Sequence, residues 1–160
     1  MRWMLCLLLP GALAAPGMAQ ELSPGEREVL RVVEQLFDGM RARDTARMRA
    51  ALHPEARMVS PAVRDSVVTV GVESPDAWLA QVARSTGAVV DERIRNPLVR
   101  VDGPLATVWV DYSLYLGDRF VHCGVDAFHL VRTPAGWRII DLADTRRREG
   151  CPDGPGPARR

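Results

Sequence analysis

The stretch LATVWVDYSLYLGDRFVHCGVDAFHLVRTPAGWRIIDLADT, residues 105–145, decides the fold. It reads as three long strands, Leu105–Leu116, Arg119–Arg132 and Gly136–Thr145, rich in β-branched and aromatic residues. Between them lie turn residues, Gly117-Asp118 and Thr133-Pro134-Ala135 with Gly136, which join neighbours as antiparallel hairpins. Upstream, Asp102-Gly103-Pro104 links the first of these strands to another candidate, Glu92–Val101. The C-terminal half is therefore an antiparallel meander.

Helices precede it. Ser23, Pro24 and Glu26 form a cap, a first-turn proline and a capping box, and Val29, Val32, Val33, Leu36, Phe37 and Met40 follow at helical spacing. Asp44 caps a second short helix carrying Met48 and Leu52, which Pro54 is expected to end. Ala56–Ser60 and Ser66–Val70 are short strands around a loop at Pro61–Asp65. Ser74-Pro75-Asp76 opens a third helix, running to about Thr86 before Gly87, with Trp78, Leu79, Val82 and Ala83 on its apolar side. Helices followed by a meander give an α+β domain over residues 20–148.

The ends differ from this pattern. Arg2, the apolar runs Met4–Leu9 and Ala12–Ala15, and the small residues before Gln20 read as a signal peptide cleaved near Ala19. That segment is too short to span a bilayer. Its removal leaves 141 of the 160 residues, enough for one self-sufficient core, and implies a secreted or periplasmic protein without a membrane anchor. Residues 149–160 form a Pro/Gly/Arg-rich tail, expected to be flexible except where Cys151 pins it.

Composition excludes some chemistry. With 21 basic and 20 acidic residues there is no cationic excess for a nucleic-acid backbone. Every basic residue is arginine, so lysine Schiff bases and Walker-type phosphate loops are excluded. No His/Cys/Asp/Glu spacing suggests a metal site, and no cofactor is expected.

Three segments carry a family resemblance: Val108-Trp109-Val110, His122-Cys123-Gly124-Val125-Asp126-Ala127-Phe128 and Gly136-Trp137-Arg138-Ile139. They resemble bacterial members of the nuclear transport factor 2-like superfamily, of the SnoaL-like and lumazine-binding-like kinds, over about residues 24–151. The resemblance implies a cone of three helices on a strongly curved antiparallel sheet, with a pocket on the concave face and frequent homodimers. It implies no particular reaction, because the fold hosts isomerases, dehydratases, cyclases and binding proteins.

Hairpin counting assigns the faces. Pairing Leu116 with Arg119 sets Ser113 opposite His122, Asp111 opposite Gly124 and Trp109 opposite Asp126, together with Tyr115, Phe120 and Phe128. Pairing Arg132 with Trp137 adds Trp137, Ile139 and Asp141 to that face. The opposite face carries Val108, Val110, Tyr112, Leu114, Val121, Cys123, Val125, Ala127, Ile140 and Leu142. Apolar walls with a few convergent polar groups suit a ligand pocket, so Trp109, Asp111, Tyr115, His122, Asp126, Phe128 and Trp137 are the candidate ligand-binding residues. The aliphatic face would then be convex and covered in a homodimer. The reverse assignment stays open, since a clean aliphatic face also describes a core.

Asp111, Asp126 and His122 are the candidates for acid–base work, because a carboxylate in an apolar cone has a raised pKa. His122 and Asp126, four apart on a strand, stand ~13 Å apart, too far for a direct dyad. Some steroid-isomerising relatives pair such an Asp with a Tyr, but no residue-for-residue match to that pattern is present. Two functions fit: an exported small-molecule-binding module of unknown ligand, and a cofactor-free isomerase or dehydratase using a pocket Asp.

Cys123 and Cys151 are the two cysteines left after cleavage, and an even count in an exported chain reads as a disulfide. Hairpin counting sets Cys123 opposite Arg146, and five further residues let the chain return to it.

Overall fold

The computed structural model describes residues 21–154; the expected signal peptide lies outside the described residues. Nine elements follow in order: α1 Pro24–Ala42, α2 Thr45–Ala51, β1 Leu52–Arg64, β2 Val67–Glu73, α3 Pro75–Arg84, β3 Val90–Asp102, β4 Leu105–Leu116, β5 Arg119–Thr133 and β6 Gly136–Asp144. The fold is α+β, three helices on a six-stranded sheet ordered β2-β1-β6-β5-β4-β3.

The helix caps do what their residues dictate. Ser23 accepts from the Glu26 backbone while the Glu26 carboxylate accepts from Ser23 N–H at 2.8 Å. Asp44 accepts from Arg47 N–H at 2.9 Å and Ser74 from Ala77 N–H at 3.1 Å. Between α1 and α2, Arg43 takes the left-handed conformation and its N–H meets the free carbonyls of Gly39 and Met40. The apolar stripe of α1, including Val33, Leu36, Phe37 and Met40, is buried against Val99, Val108, Phe128, Leu130 and Ile139 on the inner sheet face.

Two features of the sheet depart from the sequence reading. First, it is mixed: β1 runs parallel to β6, through Arg57↔Asp141, Met58↔Leu142 and Val59↔Ala143. β1 is also far longer than Ala56–Ser60, because Pro54 lies within the strand instead of following a helix end. Pro61 is accommodated where β1 has run past the paired part of β6 and one edge is free. The hairpin turn is Asp65-Ser66, both at positive φ, as a tight two-residue connection requires.

Second, β-bulges in the β3–β4, β4–β5 and β5–β6 pairs exchange the sheet's faces, and the β1–β6 register shifts as well between Leu52 and Arg57. Leu116 pairs Arg119 and Tyr115 pairs Phe120, but Leu114 then pairs His122, with Val121 extra. In the β5–β6 pair, Leu130 meets Ile139 and His129 meets Asp141, leaving Ile140 extra. In the β3–β4 pair the register slips at Asn96-Pro97, with Asn96 at φ 52°. A one-residue slip sends every later side chain to the other face. The expected assignment therefore holds for β5 from His122 onward and for Trp137 and Ile139, and reverses elsewhere, Phe120 pairing with Tyr115 on the outer face. Val108, Val110, Tyr112, Leu114 and Leu142 face the cone, whereas Trp109, Asp111, Ser113, Tyr115 and Asp141 lie on the outer face.

Cys123 and Cys151 are joined by a disulfide, with Cα atoms 5.8 Å apart. The β5–β6 bulge moves the partner of Cys123 from Arg146 to Arg147, through hydrogen bonds of 2.9 and 2.8 Å. The segment beyond is tied at a second point. The Asp153 carboxylate accepts from Ser113 Oγ and from Arg95 Nη1, each at 2.8 Å, on the outer face. No helix among the described residues is long and apolar enough to cross a membrane.

Candidate functional site

The concave face encloses a cavity of about 310 Å³ under α1 and α3. Phe37, Met40, Trp78 and Val82 close it from the helices; Met58, Val90, Leu114 and Leu142 wall it from the sheet. Its polar groups come from strand positions that the register brings to one face. Glu92, Leu114 and His122 form one cross-strand row; Val110, Asp126 and Asp144 form another.

Gly124 stands between those rows, and it explains the floor. A Cβ there would overlap the Thr145 carbonyl oxygen and approach the Tyr112 ring to 2.6 Å. With only hydrogen at this position, the Tyr112 ring lies over β5 and its hydroxyl donates to Thr145 O at 2.9 Å. Thr145 N–H in turn donates to Val125 O at 3.0 Å. The chain leaving β6 is thus held against β5, and the next residue, Arg146, joins the cavity wall. Arg146 Nε donates to Asp144 Oδ2 at 2.6 Å, and the Ser60 hydroxyl donates to the other Asp144 oxygen.

The buried centre of the site is a pair of carboxyls. Asp126 is only 2 % exposed, and its Oδ2 has no hydrogen-bond partner in the protein. The Glu92 carboxyl reaches it from β3, where Glu92 is half-buried and lines the cavity. Burial first, then the Glu92 carboxyl, push Asp126 well above the ordinary carboxylate range. Burial pushes Glu92 up to about 7, partly offset by its hydrogen bond with Asp126. Burial, and then the Arg146 charge, lower the His122 pKa and favour the neutral ring, which meets the Tyr112 ring edge-on with centroids 5.7 Å apart. Burial raises the Tyr112 hydroxyl far above its usual value, so it serves as a neutral donor.

Of the residues singled out from the sequence, His122 and Asp126 line this cavity. Phe128 and Trp137 are buried on the same face, in the core instead of the cavity wall, with Phe128 edge-to-face against Phe37 at 6.0 Å. Three lie outside the cone. Trp109 is 52 % exposed, Asp111 accepts from Asn96 Nδ2 at 2.9 Å, and Tyr115 lies under the Arg93 guanidinium at 4.0 Å. Bulges that leave no mark in a hairpin count put them there. Sequence reading did not single out Glu92, Asp144, Arg146, Tyr112, Ser60 and Trp78. Glu92 carried a signal, since it alternates with Val90 and Ile94 on one strand face. Arg146 carried none, because its position depends on the close approach at Gly124. Among the described residues no three His, Cys, Asp or Glu side chains converge as a metal site would require.

Comparison with known proteins agrees with this architecture. A family described as "Putative lumazine-binding" matches residues 25–142. No curated protein matches the chain. Solved structures with the same fold include a protein of unknown function from Mycobacterium tuberculosis (15 % identity, 78 % of this chain and 72 % of that one, TM-score 0.62). Another, from Streptomyces avermitilis, is described as a putative dehydratase of the NTF2-like family (17 %, 76 % and 95 %, TM-score 0.60). A third is an NTF2-like protein with a cystatin-like fold from Novosphingobium aromaticivorans (15 %, 79 % and 84 %, TM-score 0.60). By the matched residues, the chain belongs to the family described as putative lumazine-binding, and it shares the fold of solved NTF2-like proteins.

Proposed function

We propose that this is an exported small-molecule-binding protein that holds its ligand in the cone between the helices and the Glu92–Asp126 pair. The observation that carries the reading is the partly open cavity, with apolar walls and a buried carboxyl, Asp126, one of whose oxygens lacks a partner in the protein. A buried polar atom without a partner is costly unless a ligand or water supplies one. Export is supported by the disulfide, a bond that persists in oxidising compartments. The test is ligand screening by thermal shift, followed by calorimetry on wild type, Leu114→Trp and Trp109→Ser. Leu114→Trp fills the cavity and should abolish binding, whereas Trp109→Ser on the outer face should not. Equal loss in both, or loss only with Trp109→Ser, would overturn the reading.

A homodimer through the outer sheet face belongs to the same proposal. Trp109 and Leu98 pair there, both exposed, and sedimentation of Trp109→Ser checks it.

The alternative is cofactor-free proton transfer, of isomerase or dehydratase type. It is favoured by one observation: the cavity wall joins Glu92, raised to about 7, and Asp126, raised in the same direction by burial, with a histidine whose pKa burial lowers. Glu92→Gln and Asp126→Asn should then abolish turnover by at least about a hundredfold while substrate still binds.

A further inference from the structure

We infer that the cavity's ligand is an organic cation, a protonated amine on an apolar, ring-bearing body, with its ammonium seated on the Glu92–Asp126 pair. The inference rests on the small-molecule-binding reading and adds the ligand's class.

Charge is the first argument. Glu73, Glu92, Asp126 and Asp144 line the cavity against a single arginine. Arg146 is already bonded to Asp144, so it is not free to receive an anion. Two hydroxyl donors are committed as well: Tyr112 gives its hydrogen to Thr145 O, and Ser60 gives its hydrogen to Asp144; the other donors on the wall, Trp78, Gln81 and His122, are neutral groups. An anionic ligand would meet four carboxyl groups and no uncommitted positive charge.

Unmet demand is the second. Asp126 lines the cavity, and its buried Oδ2 has no hydrogen-bond partner in the protein. An ammonium brings three donors and no acceptor, which matches that lack. Charge-assisted bonds of this kind are about twice as strong as neutral ones. A metal ion fits less well, because no three ligating side chains converge among the described residues. The helices contribute no charge: α1 and α3 present Phe37, Met40, Trp78, Gln81 and Val82, a lining suited to an apolar or aromatic body.

Protons follow from the same geometry. The charged and titratable groups facing the pair are Tyr112, His122, Asp144 and Arg146, with Glu73 also on the cavity wall. Burial holds protons on the pair, so an arriving ammonium must displace them. Amine binding therefore tightens as pH rises from about 5.5 to 8, and it releases protons.

The test is calorimetry on the full disulfide-bonded protein with matched probes on indolyl, phenyl and cyclohexyl bodies. For the indolyl set these are tryptamine, indole-3-ethanol and indole-3-propionate. For one body at least, the amine should bind about tenfold or more tighter than the alcohol, and the carboxylate should not bind. Binding heats in two buffers of different ionisation enthalpy should show proton release, a readout that needs no variant. Glu92→Gln and Asp126→Asn should each weaken amine binding about tenfold and leave alcohol binding within about twofold. Alcohol or carboxylate binding as tight as amine, lost in Leu114→Trp, overturns the cation inference and leaves the cavity reading standing. No binding by any member, or binding that survives Leu114→Trp, overturns both.

Discussion

Replacing Glu92 by Gln should stabilise the protein in mildly alkaline solution and do little in mild acid. Glu92 is held at about 7 in the folded chain, against 4.5 for a free side chain. Between those values the native state binds more protons than the unfolded state, so stability falls as pH rises. The contribution is whole below about pH 4.5 and lost above about 7. At a little over 1 kcal/mol per pH unit, the interval corresponds to roughly 3 kcal/mol. Because Asp126 shares the proton, one substitution should recover about 2 kcal/mol of it. Glutamine keeps the shape, carries no charge, and its amide oxygen can still accept from the Asp126 carboxyl. His122 works in the opposite direction, since its lowered pKa costs stability as pH falls below about 6.5. The informative quantity is therefore the difference between wild type and variant. Urea unfolding followed by circular dichroism at about pH 5 and pH 8 supplies it. The variant should match wild type at the lower pH and exceed it by about 2 kcal/mol at the higher. A constant difference at both, or a variant weaker at pH 8, would refute the buried-pair reasoning.

Other substitutions probe the frame of the site. Gly124→Ala places a methyl group on the Thr145 carbonyl and the Tyr112 ring, so a loss of about 3 kcal/mol or more in thermal unfolding is expected; an unchanged melting temperature would remove the stated reason for glycine there. Cys151→Ser opens a loop enclosing 27 residues and should cost roughly 3.5 kcal/mol by chain entropy, read from denaturant midpoints of the variant against the oxidised protein. Asp111→Asn, on the outer face, should leave cavity-ligand affinity within about twofold while Asp126→Asn changes it about tenfold; equal effects would mean that the two aspartates do not occupy opposite faces.

Much of the fold was legible because its signals are local. The Ser23 and Ser74 caps, the Asp44 cap and the Gly117-Asp118 turn each depend on a few neighbouring residues, and each lies where those residues indicate. The disulfide was legible too, since its pairing tolerates an error of one residue in register. The site did not share that tolerance. The bulged residue Val121 displaces Trp109, Asp111 and Tyr115 to the outside and brings Tyr112 and Leu114 in. Nothing in the local sequence separates a bulged β4–β5 hairpin from a regular one, because residues of both faces are apolar and aromatic. Asp126 and His122 kept their place because β5 itself supplies the face on which the cavity is built. Pro54 misled in the other direction, since a parallel neighbour let β1 begin before it.

The most direct measurement is a crystal structure of the disulfide-bonded protein saturated with the tightest binder from the probe series. Electron density for that molecule between Trp78 and the Glu92–Asp126 pair, with a donor atom within hydrogen-bond reach of Asp126 Oδ2, is the expected result. Density for it on the outer face beside Trp109, with only water in the cone, would contradict the account.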